Sequence, residues 1–281
     1  MTDGRVAGVR LDEGTELAAP MVVAACDPKR VLVDWVEDPP AAARRLVDRW
    51  RQQPIHDGYE SKIDAVLAAR PRYRVADHLA TRHPGIELLG PTAFISPSPD
   101  DLAEAHARRD QGTVATRPSM LVNIPSVLDP TMLTPEGHHV LSIEVLFTPY
   151  EHPGGWADSD EPARWLDLWA GFMEPGARDS IVSWRAMTPD RYETEFSMYR
   201  GHTPSYSGSP LAALLGRNRE LTRYRTPIDG LYLSGAGTFP GAGIFGAAGR
   251  NTADVVRRDL TGPIGRRLRP IRRLVTSRGG P

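Results

Sequence analysis

The residues best suited to chemistry lie toward one end of this 281-residue chain. Residues 230–260 read "GLYLSGAGTFPGAGIFGAAGRNTADVVRRDL", and Gly235, Gly237, Gly241, Gly243, Gly246 and Gly249 recur through them. "GLYLSGA" predicts a short buried strand, "GTFPGAG" a loop and "IFGAAGRNTADVVRRDL" a helix. A glycine-rich loop feeding a helix start leaves unpaired N–H groups pointing at phosphate or another electron-rich group. Glycine also permits positive φ and close approach of backbone to a ligand. Gly246, Gly249 and Ala253 give the helix a small-residue face for close contact with a neighbour or ligand. The competing reading is a tight turn whose glycines serve packing alone. Their recurrence across strand, loop and helix start favours the ligand site.

Other polar groupings carry less. His138 and His139 are adjacent. On a strand they point to opposite faces, which suits joint metal ligation poorly, and no metal site is expected. Asp190, Glu193 and Glu195 shape a pocket or, more simply, a solvated charged face. The single cysteine, Cys26, ends the apolar run "MVVAAC" and reads as a buried structural thiol. One cysteine permits neither an intramolecular disulfide nor a cysteine-built zinc site. No acid–base pair or nucleophile stands out as catalytic.

The elements that must position the glycine loop follow from pattern. Residues 5–10 and 15–26 predict a hairpin about Asp12, Glu13 and Gly14, its second strand apolar on both faces over 21–25. Residues 39–51 predict an amphipathic helix with Leu46, Val47 and Trp50 on one face. A strand is expected over 59–68 and a helix over 100–110. Residues 119–125 and 139–148 read as antiparallel partners. The helix over 161–174 sets Trp165, Leu168, Trp169 and Phe172 on one stripe, as core or as ligand contact. Short elements are expected at 181–185 and 191–197, and a helix at 211–221. The pattern therefore reads as α/β plus α+β: part of a layered α/β domain with an antiparallel-sheet domain.

Composition narrows the function classes. Hydrophobic residues make up 40% and charged residues 25%, with a net charge of -1, so a globular protein is expected and a dedicated nucleic-acid binder is not. The opening "MTDGRVAGVRLDEG" has no signal-peptide pattern, and no apolar run reaches membrane-spanning length. A cytoplasmic setting is the expectation.

Residues 224–260, together with "GRVAGVRLDEGTELAAPMVVAACDP" at 4–28 and "PSVLDPTMLTPEGHHVLSIEVLFTPY" at 125–150, resemble the phytoene-desaturase-like FAD-dependent oxidoreductases of the amine-oxidase-type flavoprotein superfamily. The branch they are most similar to is the pyridine-nucleotide-disulfide-oxidoreductase-domain-containing type. The resemblance covers the C-terminal portion of the family pattern. It implies a partial FAD-binding domain at 1–49, a substrate domain at 50–220, a return to the FAD-binding domain at 221–260 and a basic tail at 261–281. By the same resemblance, Gly235, Gly237, Thr238 and Gly246 belong to the cofactor site. Gly237 and Thr238 approach the pyrophosphate and ribityl chain; Gly243, Ile244 and Phe245 lie near the flavin ring.

The family's opening strand, glycine turn and helix have no counterpart around the first hairpin, nor does the acidic residue for the adenosine ribose. The expectation is a subunit, or C-terminal half, of an oxidoreductase that transfers hydride from an apolar small-molecule substrate. A second polypeptide carries the Rossmann-type glycine-rich turn and shares the FAD. A homodimer would also hide apolar surface but would supply no such turn. The alternative function is a non-catalytic binding or scaffold protein derived from the substrate domain. In the tail, Arg266, Arg267, Arg269, Arg272, Arg273 and Arg278 flank Leu268, Ile271 and Val275. The tail reads as a peripheral contact with an anionic membrane or as a frayed terminus.

Overall fold

The computed structural model describes residues 1–85, 90–96, 98–203, 205–206, 218–243 and 246–262. The chain divides into two compact units, Met1–Pro54 with Thr203–Pro281, and Ile55–His202. Sequence reasoning set the divisions at 49/50 and 220/221.

In the first unit, β1 (Gly8–Arg10) and β2 (Glu16–Ala18) form an antiparallel hairpin, with Gly8 opposite Ala18. The expected second strand does not run on to Cys26. Pro20, with fixed φ and no N–H, separates β2 from β3 (Val22–Ala24). Strand β3 leaves the hairpin and pairs in parallel with β9 (Leu231–Leu233), Val22 opposite Leu231. Nor is β3 buried on both faces, because Val23 is 48% exposed; it is β9 that is buried throughout. Cys26 lies beyond the end of β3 and is exposed, which corrects the expectation of a buried thiol.

Helix α1 (Ala41–Gln52) buries Ala43, Leu46 and Val47; of the expected face Leu46, Val47 and Trp50, the first two are buried and Trp50 is half-buried against the same cluster. The Lys29 ammonium donates to the carbonyls of Arg51 and Gln53 and so satisfies the end of α1. Leu32, Leu46, Leu221, Ile228, Leu231 and Leu233 form the core of this unit.

In the second unit, five strands form one antiparallel sheet in the order β5-β6-β7-β4-β8. They are β4 (Glu60–Leu67), β5 (Thr92–Ile95), β6 (Met120–Asn123), β7 (His139–Leu146) and β8 (Ile181–Met187). β6 and β7 pair as expected, Met120 opposite Val145. Alternation is strict in β4, where Ser61, Ile63, Ala65 and Leu67 are buried and their neighbours are half-buried. The buried side packs on α4 (Glu161–Ala170) through Trp165, Leu166 and Trp169. Phe172, the last member of the expected stripe, lies past the helix end and is exposed.

Helices α2 (Ala76–Arg82), α3 (Pro99–Asp110) and α5 (Pro189–Phe196) complete this unit. Ser98 and Asp101 close a capping box at the start of α3. Of the helix expected at 211–221, residues 211–217 lie outside the described residues; a short helix, α6, spans Arg219–Arg223. Tail residues 263–281 also lie outside them. Among the described residues, no helix is long and apolar enough to cross a membrane.

Candidate functional site

Strand β9 delivers the chain into the glycine loop, and helix α7 (Ala247–Thr261) carries it away. Each predicted residue has a distinct setting. Gly235 has φ +77°, and a Cβ there would stand 2.9 Å from the Ala25 carbonyl oxygen, so glycine is required by the close pass of the loop over the end of β3. Gly237 is buried. Thr238 is fully buried; its N–H and hydroxyl both donate to the Gly235 carbonyl, at 3.1 and 2.9 Å. Gly243 is exposed. Ile244 and Phe245 lie outside the described residues.

Gly246 caps α7 in the left-handed conformation, φ +62°. A Cβ at Gly246 or at Gly249 would meet nothing within 4 Å. Ala253, on the same helix, is exposed. Among the described residues no side chain caps the start of α7, and no acidic residue occupies its first turn. The helix therefore presents free N–H donors and the positive end of its dipole with no competing carboxylate of its own. That is the chemistry of an anion cradle. Gly241, Gly243 and Gly246 also fall on the spacing G-x-G-x-x-G directly before α7, although the pattern begins eight residues after β9 ends. Sequence reasoning passed over this spacing; the helix that follows is the signal that makes it informative.

Helix α7 is held from the opposite end and from below. Thr252 donates its hydroxyl to the Ala248 carbonyl at 2.8 Å and meets the Ser234 hydroxyl at 3.0 Å, tying the helix to the exit of β9. Near the last turn, Asp259 accepts two hydrogen bonds from Arg225 and one from Tyr232. The Arg225 guanidinium holds the Asp259 carboxyl below the usual carboxylate range. Burial, aided by Asp259, pushes the Tyr232 phenol up to about 12.

The second unit carries polar groups of its own. On the side of the sheet away from α4, Thr92, Asn123, Ser142, Asp64 and Arg185 stand in one row, each paired in register with the next. The Thr92 hydroxyl donates to Asn123 at 2.9 Å, and Arg185 donates to Asp64 at 3.2 Å. Tyr192 of α5 adjoins this face, and burial with Glu60, Asp64 and Glu144 pushes its phenol up to about 12. The acidic trio of α5 resolves into separate pairings: Asp190 accepts from Thr188, Glu193 from Tyr150 and Glu195 from Arg191. His139 Nδ1 lies 2.9 Å from Ser126 Oγ, and no cluster suited to a metal ion occurs among the described residues.

No protein-family model matches the chain. Pyridine nucleotide-disulfide oxidoreductase domain-containing protein 2 of Rattus norvegicus is 30% identical over 272 residues, covering 92% of this chain and 45% of that protein. Phytoene desaturase (lycopene-forming) of a Paracoccus strain is 32% identical over 151 residues, 50% of this chain and 28% of that protein. A limonene dehydrogenase subunit of Castellaniella defragrans is 28% identical over 210 residues, 69% of this chain and 36% of that protein. The chain spans about half the length, or less, of the curated relatives it matches. The chain is thus similar, over most of its length, to part of the pyridine nucleotide-disulfide oxidoreductase domain-containing proteins and, over half of it, to phytoene desaturases.

Proposed function

We propose that this chain is one part of an FAD-dependent oxidoreductase acting by hydride transfer on a substrate with an apolar body, and that a second polypeptide completes the cofactor site. The observation that carries the reading is the start of α7: a positive-φ glycine cap, unpaired N–H groups, no first-turn acid, and open space in front of Gly246 and Gly249. These features fit an anionic cofactor, and the pyrophosphate of FAD is the match that the similarity to these oxidoreductases suggests. FAD, when bound, supplies the hydride and electron transfer itself. The chain's contribution is to bind and orient. The backbone from Gly246 to Gly249 offers the phosphate donors, Gly237 and Gly243 permit close approach, and Thr238 stiffens the loop between them.

Two structural observations support a second polypeptide. The parallel pair β3–β9 forms a sheet of two strands, and a two-stranded sheet is marginal without cover. Val9, Leu11, Leu17, Val23 and Trp35 of the same unit are exposed. The limonene dehydrogenase relative, moreover, is itself named as a subunit.

The test is purification of the natively expressed chain, followed by mass spectrometry, light scattering and a visible spectrum. The expected result is a heteromer with stoichiometric flavin absorbance near roughly 450 nm, and loss of that band when the chain is isolated. A stable, flavin-free monomer with no associated polypeptide overturns the proposal and points to a binding protein without redox activity.

A further inference from the structure

In the unit Ile55–His202, a groove of about 980 Å³ opens beside β5, the edge strand of the sheet. Leu79, Ala93, Ile95, Met120, Leu168 and Phe172 supply apolar walls. The volume lies at the upper end of small-molecule sites, which run from about 300 to 1,000 Å³. Apolar walls alone would suit a neutral hydrocarbon, but the polar groups on the lining do not.

Three arginines lie in or next to this groove, and they are committed differently. Arg72, just outside the lining, is neutralised by Asp77 and Glu174. Arg117, a lining residue, has Asp101 at 3.6 Å. Arg74, also a lining residue, has no carboxylate partner among the described residues. Its Nε donates to the Met173 carbonyl at 2.5 Å, and its backbone N–H donates to the Phe172 carbonyl at 3.0 Å. These contacts anchor the residue and leave the terminal nitrogens for something else. Tyr73, the preceding lining residue, carries a buried hydroxyl with no hydrogen-bond partner among the described residues.

A pure hydrocarbon laid in this groove would desolvate the Arg74 guanidinium without answering it, and burying an unpaired charge is costly. A carboxylate answers it, by accepting from the terminal nitrogens of the guanidinium. We infer that the groove binds an anionic amphiphile of the fatty acid class, with its carboxylate at Arg74 and its alkyl chain along Leu79, Ile95 and Phe172. The inference rests on the proposed oxidoreductase reading, in which the substrate domain expected at 50–220 holds the substrate, and names the substrate class more narrowly.

The test needs no flavin, so its failure and a failure of flavin binding are separate results. Dodecanoate, below its micelle concentration, is titrated calorimetrically into the full chain, with 1-dodecanol and phosphatidylglycerol vesicles as comparison ligands. The expected result is one dodecanoate per chain, with the alcohol at least tenfold weaker. Arg74→Glu is expected to weaken the acid at least tenfold and leave the alcohol unchanged. Ala93→Trp, which fills the groove, is expected to weaken both. Should circular dichroism show that Arg74→Glu has lost its fold, Arg74→Gln serves instead and is expected to move affinity the same way. Equal affinity for acid and alcohol overturns the inference. So does the absence of saturable binding, binding to vesicles alone, or indifference to the Arg74 substitution.

Discussion

The Asp259 carboxylate receives both Nε and Nη2 of Arg225 at 2.7 Å each, in the fork-on-fork geometry that makes arginine pairs directional. Asp259 sits near the end of α7, where its charge alone would oppose the helix dipole; Arg225 offsets this. Because Tyr232 of β9 donates to the same carboxylate at 3.0 Å, the three residues clamp the helix to the strand below it. The clamp grips the end of α7 opposite the candidate cofactor cradle, and so fixes where the free N–H groups point.

Asp259→Asn removes the charge and keeps the shape. Charge-assisted hydrogen bonds of this kind are each worth about 1.5–3 kcal/mol. Arg225 is 42% exposed, so solvent screening brings the expected loss to about 1–2 kcal/mol for the whole pair. Urea titration of the full chain measures it. A midpoint identical to that of the native chain would show that the clamp contributes nothing to the fold.

The same cluster has a pH signature on each side. Arg225, then Tyr232, depress the Asp259 carboxyl. Its stabilisation is therefore complete above the usual carboxylate value of about 4 and is lost as pH falls through the lower folded value. Tyr232 runs the other way: its phenol is raised from 10.0 to about 12, so stability is present below 10.0 and is lost between 10.0 and about 12. Thermal melts across pH are expected to show losses at both extremes. Asp259→Asn should flatten the acid loss and lessen the alkaline one.

A third expectation concerns Gly58. A Cβ built there would stand 2.4 Å from the Gly201 carbonyl oxygen, while the Gly58 N–H donates to the Arg200 carbonyl at 2.8 Å. Asp57 and Arg200 form an ion pair beside this contact. Gly58→Ala forces two backbone segments apart and is expected to destabilise by about 1–3 kcal/mol, the usual range for overpacking. Chemical denaturation tests it; an unchanged midpoint would mean that the segments separate freely.

Much of the second unit was legible in the sequence because each element carries its own period. The alternation in β4 and the spacing of Trp165 and Trp169 read directly as a sheet face and a helix stripe. The first unit was harder. "MVVAAC" looks like one buried strand, yet Pro20 cuts it from the hairpin, Val23 is exposed and Cys26 lies past its end. Its parallel partner β9 lies roughly two hundred residues away, and no local pattern encodes that pairing. For the same reason, composition revealed that the glycine loop was special but not which glycine does what. Gly235 is demanded by contact with Ala25, whereas Gly246 and Gly249 meet nothing. The groove at Arg74 left no sequence signal, since its lining comes from segments scattered between Tyr73 and Phe172.

The contrast among these glycines gives the sharpest expectation for the cofactor. Gly249 lies within α7 at a negative φ with open space in front of it. In the isolated chain, Gly249→Ala should raise stability by about 0.5–1 kcal/mol, since alanine suits a helix interior better than glycine. Gly249→Val adds a branched side chain to the same exposed face, and the fold should tolerate it. In the assembled protein that face is the one proposed to meet FAD, so Gly249→Val is expected to weaken flavin binding at least tenfold while the melting of the isolated chain changes little. Gly235→Ala is the control for packing: it meets the Ala25 backbone and should destabilise the chain with or without flavin. Flavin titration by fluorescence quenching, alongside thermal melts of each variant, separates the two effects. If flavin affinity is unchanged in Gly249→Val, the small-residue face of α7 belongs to another neighbour and the phosphate lies elsewhere.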